Sequence, residues 1–216
     1  MTTDSQLQQA VIDELSWEPS VTAAHIGVTA KGGVIELSGH VGSFAEKFAA
    51  EMATRRVKGV KAVAEEIEVK LPFTVKRTDG EIAAAAVDSL SWDVSIPRDA
   101  VKVKVEKGWL TLSGTVDWQY QRNAAEQDVR RLHGVVGVMN EIAIKVSGVN
   151  TASIGDDIRH ALHRTWFDPK TITVTANGGK VKLTGTVHSW QDRQTAASTA
   201  WSAPGATMVE NNITIN

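Results

Sequence analysis

The heptapeptide IELSGHV, from Ile35 to Val41, returns as LTLSGTV from Leu110 to Val116 and as VKLTGTV from Val181 to Val187. Strict alternation predicts a strand with one core face: Ile35, Leu37, Gly39 and Val41, matched by Leu110, Leu112, Gly114, Val116 and by Val181, Leu183, Gly185, Val187. The other face is polar or mixed, with Glu36, Ser38, His40, then Trp109, Thr111, Ser113, Thr115, then Lys180, Lys182, Thr184, Thr186. A glycine inside a strand costs backbone entropy and packs nothing, so it marks close approach by another backbone.

Working outward, the strand glycines Gly39, Gly114 and Gly185 stand 75 and 71 residues apart, and other landmarks keep step with them. A second glycine follows 20 residues later (Gly59, Gly134, Gly205), then an isoleucine eight further on (Ile67, Ile142, Ile213). Upstream, Leu7, Ala10, Val11 and Leu15 have helical spacing, and Asp4, Ser5, Asp79, Asp156 and Asp157 suit helix starts. A shorter strand precedes each glycine strand (Ile26, Val28; Val101, Val103, Val105; Ile172, Val174) and joins it through KGG, EKG or NGG, a hairpin signal. A second helix and a third strand follow. The second helix has small inner positions, Ala49, Ala50, Ala124, Ala125, Ala196 and Ala200, which predicts that it crosses closely over the glycine strand.

The sequence therefore predicts an α+β protein of three tandem α-β-β-α-β units, each a three-stranded mixed sheet with two helices on one face. Unit boundaries fall at 1–71, 79–146 and 154–216, separated by LPFTVKRT and SGVNTAS. The third copy is about five residues shorter between its first helix and the glycine strand. Units this small have little core, so packing between copies or subunits helps them.

Composition narrows the function. Of 216 residues, 42% are hydrophobic and 22% charged, with a formal net charge of -2, so no overall field draws nucleic acid, and none is expected as a partner. The absence of cysteine removes thiol catalysis, thiolate metal sites and disulfides. The polar, acidic stretch from Met1 to Ser20 does not read as an export signal. A complete chain is expected in the cytoplasm, and a mature form with an added Met, which reads the same, in the periplasm.

The α-β-β-α-β unit, the V-x-L-S-G-x-V strand and the later V-x-G-V turn (Val57 to Val60, then LHGV and a degenerate APGA) resemble the BON domain, named for bacterial OsmY and nodulation proteins. The resemblance spans nearly the whole chain, as a triple-BON, OsmY-type arrangement. It implies a non-enzymatic, transport-associated module that binds phospholipid or membrane surfaces in osmotic or envelope stress. One such protein with a LysM domain binds potassium, but no LysM segment is present here.

Because the two strands form a hairpin, the start of the first strand and the end of the second lie at one pole of each unit. Aromatics gather there: Trp17, Trp92 and Trp166 end the first helix, and Phe44, Trp118 and Trp190 begin the second. A basic residue recurs eight positions past each strand glycine, at Lys47, Arg122 and Arg193. Indole beside a cation near a helix N-terminus suits an anionic phospholipid headgroup. Against that, Ser43, Asp117 and Ser189 read as N-caps with Glu46 and Asp192 in the capping-box position, and tryptophan in a 70-residue unit is more often a core plug. The alternative is a protein-interaction scaffold, self-associating or chaperone-like, that works through outer sheet faces and edges, with Trp109, Thr111, Lys180 and Lys182 foremost. The third copy, with 6 basic against 5 acidic residues over 155–216, is the one best suited to an anionic surface. His160 and His163 sit three apart without a third ligand, NGGK lacks the phosphate-loop form, and no catalytic set repeats, so no metal, cofactor or catalytic residue is expected.

Overall fold

The computed structural model describes residues 3–145, 153–165 and 169–215. Three α-β-β-α-β repeats follow one another. The first contains α1 (Asp4–Trp17), β1 (Ile26–Lys31), β2 (Val34–Val41), α2 (Phe44–Arg56) and β3 (Ala62–Val69). The second contains α3 (Asp79–Trp92), β4 (Val101–Glu106), β5 (Trp109–Val116), α4 (Gln119–Arg130) and β6 (Gly137–Ile144). The third contains α5 (Ile154–Leu162), β7 (Ile172–Asn177), β8 (Lys180–Val187), α6 (Trp190–Trp201) and β9 (Met208–Ile215). In every repeat the glycine strand is central, in the orders β1-β2-β3, β4-β5-β6 and β7-β8-β9. β1 and β2 are antiparallel while β2 and β3 are parallel, and β7, β8 and β9 repeat that arrangement, as the crossover helix between the last two strands demands. The chain forms two compact units, Met1–Ser113 with Ala124–Glu141 and Gly114–Asn123 with Ile142–Asn216.

Each core lies between one sheet face and its two helices. In the first repeat Leu7, Val11 and Leu15 from α1 and Ala50 and Ala53 from α2 are buried with Ile35, Leu37, Val41 and Ile67 of the sheet. The third repeat buries Ile158, Leu162, Ala196, Ala200, Val181, Leu183 and Ile213 in the same way. The first helices of repeats one and two begin at Thr3 and Thr78, each in a capping box with Gln6 or Glu81. The aspartates expected to start these helices have another task. The Asp4 carboxylate accepts from the Gly32 N–H, and that of Asp79 from the N–H groups of Lys107 and Gly108, which clamps each hairpin to the first turn of its helix. Counting back from Ile158, the third repeat has Gly155 at this position.

The hairpins are two-residue turns with both central residues at positive φ: Gly32 and Gly33, Lys107 and Gly108, Gly178 and Gly179. This conformation matches the strand twist and favours glycine. Lys107 holds it at φ 52°.

The strand glycines do mark a close backbone approach, but the partner differs from the expected one. Gly39 and Gly185 have φ of 113° and 130°, and a Cβ on either would run into the carbonyl of His25 or Thr171, just before β1 or β7. The register explains this, since Gly39 faces Ile26 and Gly185 faces Ile172, the first pairs of their ladders. The incoming chain folds over the glycine as it enters the sheet. The small helix positions are a separate device: Ala50, Ala53, Ala125, Ala196 and Ala200 are fully buried, while Ala49 and Ala124 lie nearer the surface.

Candidate functional site

The sequence places an aromatic and basic cluster at one pole of each repeat, and the structure separates its members. Trp17 and Trp92, the last residues of α1 and α3, are 84% and 85% exposed, which rules out the core-plug reading for both. Periodicity explains their exposure. Leu15 and Leu90 are the last buried residues of these helices, and two positions further on the side chain has turned about 200° away from the core. Trp166 lies outside the described residues.

The recurring cation ties the second helix to the sheet. Lys47 donates through Nζ to the Ile67 carbonyl at 2.7 Å and pairs with Glu65 at 3.1 Å. Arg193 donates to the carbonyls of Ile213 at 3.0 Å and Asn211 at 2.9 Å, with its guanidinium 4.9 Å from the Trp190 ring centroid. Ile67 and Ile213 are the same position of the repeat, so the two cations perform one structural task rather than standing ready for a headgroup. Arg122, the third of the series, is half-buried on α4, as are Phe44 and Trp190 at the starts of α2 and α6.

These helix starts are also occupied. Ser43 and Ser189 accept from the N–H groups of Glu46 and Asp192, as their spacing predicts. Burial alone would push the Glu46 carboxyl up, but the N–H groups of Thr22 and Gly42 more than offset this and hold it below its usual range. The second repeat departs from the pattern. Asp117 is not the cap. Trp118 occupies the capping position, since its carbonyl accepts the first helical bonds, and the Gln121 side chain takes the N–H groups of both Asp117 and Trp118 at 3.1 Å.

Acidic groups flank the exposed indoles. The Arg56 guanidinium, which also contacts Glu14, and then Ser20 lower the Glu18 carboxyl. Beside Trp92, the Ser95 hydroxyl and N–H lower Asp93, while burial, and then the Asp93 charge, raise Asp128. The chain neighbour that follows each indole is therefore a carboxylate, Glu18 or Asp93, rather than a cation. On the outer sheet faces, Trp109 is half-exposed and its ring covers the backbone of Gly137, with Met139 exposed on the same strand as Gly137. Lys182 is within 3.7 Å of Glu210 across the ladder, which softens the positive face expected of the third copy.

The larger cavities bring together residues outside the expected set. Within the second unit, a groove of about 740 Å³ is lined by Trp118, Gln119, Tyr120 and Asn123 of the α4 start and by residues of α6 that include Gln194, Ser198 and Trp201. Of these, the sequence singled out Trp118 alone. The available signal was a tryptophan standing where the other two copies have a capping serine. Among the described residues no helix is long and apolar enough to cross a membrane.

A family model described as the BON domain matches residues 3–70, 78–146 and 150–216. Osmotically-inducible protein Y of Escherichia coli strain K12 is 31% identical over 146 residues, covering 66% of this chain and 73% of that protein. Among solved structures, CdsD, a structural protein of the type III secretion system of Chlamydia trachomatis, is 14% identical with a TM-score of 0.28, over 96% of this chain and 91% of its own. The C-terminal domain of CdsD is 15% identical with a TM-score of 0.28, over 97% of each chain.

Proposed function

This chain belongs to the BON domain family, and from that membership we propose that it acts in stress physiology as a non-enzymatic module associating with phospholipid surfaces through Trp17 and Trp92. The relationship to an osmotically inducible protein supports the physiological setting. The observation that carries the reading is the exposure of two indoles at one repeated position. A largely exposed tryptophan gains little from folding, whereas the headgroup boundary takes the apolar ring and keeps its N–H wet. Full burial of a large apolar side chain is worth about 1.5–3 kcal/mol, so two indoles give weak, reversible association. Glu18 and Asp93 beside them, and the engagement of Lys47 and Arg193 with the sheet, favour insertion of the rings over attraction to anionic headgroups.

The test is co-sedimentation with phosphatidylcholine vesicles, and with vesicles containing phosphatidylglycerol, at low and physiological salt. Binding to both, little changed by salt and at least fivefold weaker in Trp17→Ser/Trp92→Ser, is the expected result. Arg193→Met should lower thermal stability and leave sedimentation unchanged. Protein that stays in the supernatant with both vesicles, or a double variant that binds as well as the parent, refutes the reading. The alternative, protein contact through an outer sheet face, draws support from half-exposed Trp109 beside Met139, and it predicts that Trp109→Ser abolishes any capture of protein partners while leaving vesicle binding intact.

A further inference from the structure

We propose that the groove between the first turn of α4 and the outer side of α6 binds a neutral polyhydroxylated molecule, a short saccharide. At about 740 Å³ the groove falls within the range of small-molecule sites. Its lining supplies three aromatic rings, Trp118, Tyr120 and Trp201, with Tyr120 56% exposed. The polarised C–H bonds on one face of a sugar ring meet the negative face of such π systems favourably. The same lining includes the amides of Gln119, Asn123 and Gln194 and the side chains of Ser198 and Ser202. The amides of Asn123 and Gln194 can both donate and accept, and the Ser198 and Ser202 hydroxyls, which donate to the Thr195 and Ser198 carbonyls, keep lone pairs for a ligand O–H.

Among the described residues, no lysine, arginine, histidine, aspartate or glutamate lines the groove. A charged ligand would lose hydration there without gaining a counter-charge, and a neutral one loses far less.

The fold does not account for this chemistry. Counting by repeat, the positions of Trp118, Gln119, Tyr120 and Asn123 hold Ser43, Phe44, Ala45 and Phe48 in the first copy. Tryptophan has displaced the capping serine that the other two copies retain, and Gln121 has taken over the cap. A departure from local helix-start chemistry with its own compensation is expected where a side chain serves a ligand.

The experiment titrates the full chain with maltotriose and with chitotriose, followed by calorimetry and by saturation-transfer NMR, with glucuronic acid and glucose 6-phosphate as charged controls. Saturable binding of a neutral trisaccharide, weakened at least tenfold in Trp118→Ser and in Asn123→Leu and absent for both charged sugars, is the expected result. Trp118→Ser restores the capping residue of the other copies, so an unchanged melting curve will confirm that it folds. The proposal is overturned by a dissociation constant weaker than about 20 mM for both trisaccharides, by binding indifferent to Trp118→Ser, or by tighter binding of the sugar phosphate. A dimer in analytical ultracentrifugation that Trp118→Ser dissociates would make the groove a self-contact, and would overturn it equally.

Discussion

Replacing Gly39 by alanine tests the most specific structural claim made for this fold. Gly39 has φ 113°, and a Cβ there would drive into the His25 carbonyl oxygen, with the carbonyl carbon at 3.2 Å and the Ile26 Cα at 3.4 Å. None of these atoms is the end of a flexible side chain, so relief requires moving the start of β1. A non-glycine residue in so sparsely populated a region costs about 1–3 kcal/mol from φ alone. Displacing Ile26 from its pairing opposite Gly39 endangers one ladder hydrogen bond, about another 1 kcal/mol. The expected loss is about 2–4 kcal/mol. Gly32 is the internal control, since its φ is 60° and nothing lies within 4 Å of a Cβ, leaving only the left-handed penalty of about 1–2 kcal/mol.

The assay is native-state hydrogen exchange of the first-repeat amides, supported by urea denaturation followed by circular dichroism. Equal losses in Gly39→Ala and Gly32→Ala would refute the argument. A second arm separates the observed partner from the one the sequence suggested. If the glycine served a close crossing by α2, Ala50→Gly would restore Gly39→Ala. The carbonyl clash predicts no such rescue, with the two effects merely adding.

Two further outcomes follow from single side chains. Lys107→Gly removes a non-glycine residue from φ 52° in the hairpin while keeping the backbone N–H that Asp79 binds, and should stabilise the protein by about 1 kcal/mol in urea denaturation. Asp128→Asn acts through pH. Burial and the Asp93 charge raise the folded carboxyl of Asp128 above its unfolded value, so the native state holds the extra proton and stability falls as pH rises through the window between the two. The variant should therefore melt a degree or more higher at pH 7, the gain disappearing below about pH 3.5, where both forms of the wild-type chain are protonated; an equal gain at both pH values would be the wrong outcome.

What was legible in the sequence follows from the range of the forces involved. Alternation of Ile35, Leu37 and Val41 and the helical spacing of Leu7, Val11 and Leu15 are local consequences of a side chain's need to leave water, and three copies in register made strands, helices and repeat visible together. The turn chemistry of KGG and NGG is equally local, because left-handed backbone calls for glycine. By contrast, the functions of Asp4, Asp79, Lys47 and Arg193 depend on carbonyls and N–H groups 18 to 29 residues away, which sequence spacing does not report.

Tryptophan shows the same division in one residue type. The sequence could place Trp17 and Trp92 at helix ends, but whether an indole is a plug or a contact depends on whether the helix's last core position falls on it or two residues earlier, at Leu15 and Leu90. Likewise Trp118, Tyr120 and Trp201 form a groove only because two helices starting about 70 residues apart come together in the folded chain. Sequence by itself determined the repeated α+β unit, since hydrophobic periodicity and backbone preference act within a few residues. Tertiary structure decided which polar and aromatic groups are engaged and which are left for a partner, because hydrogen bonding and exposure are settled by neighbours that arrive through space.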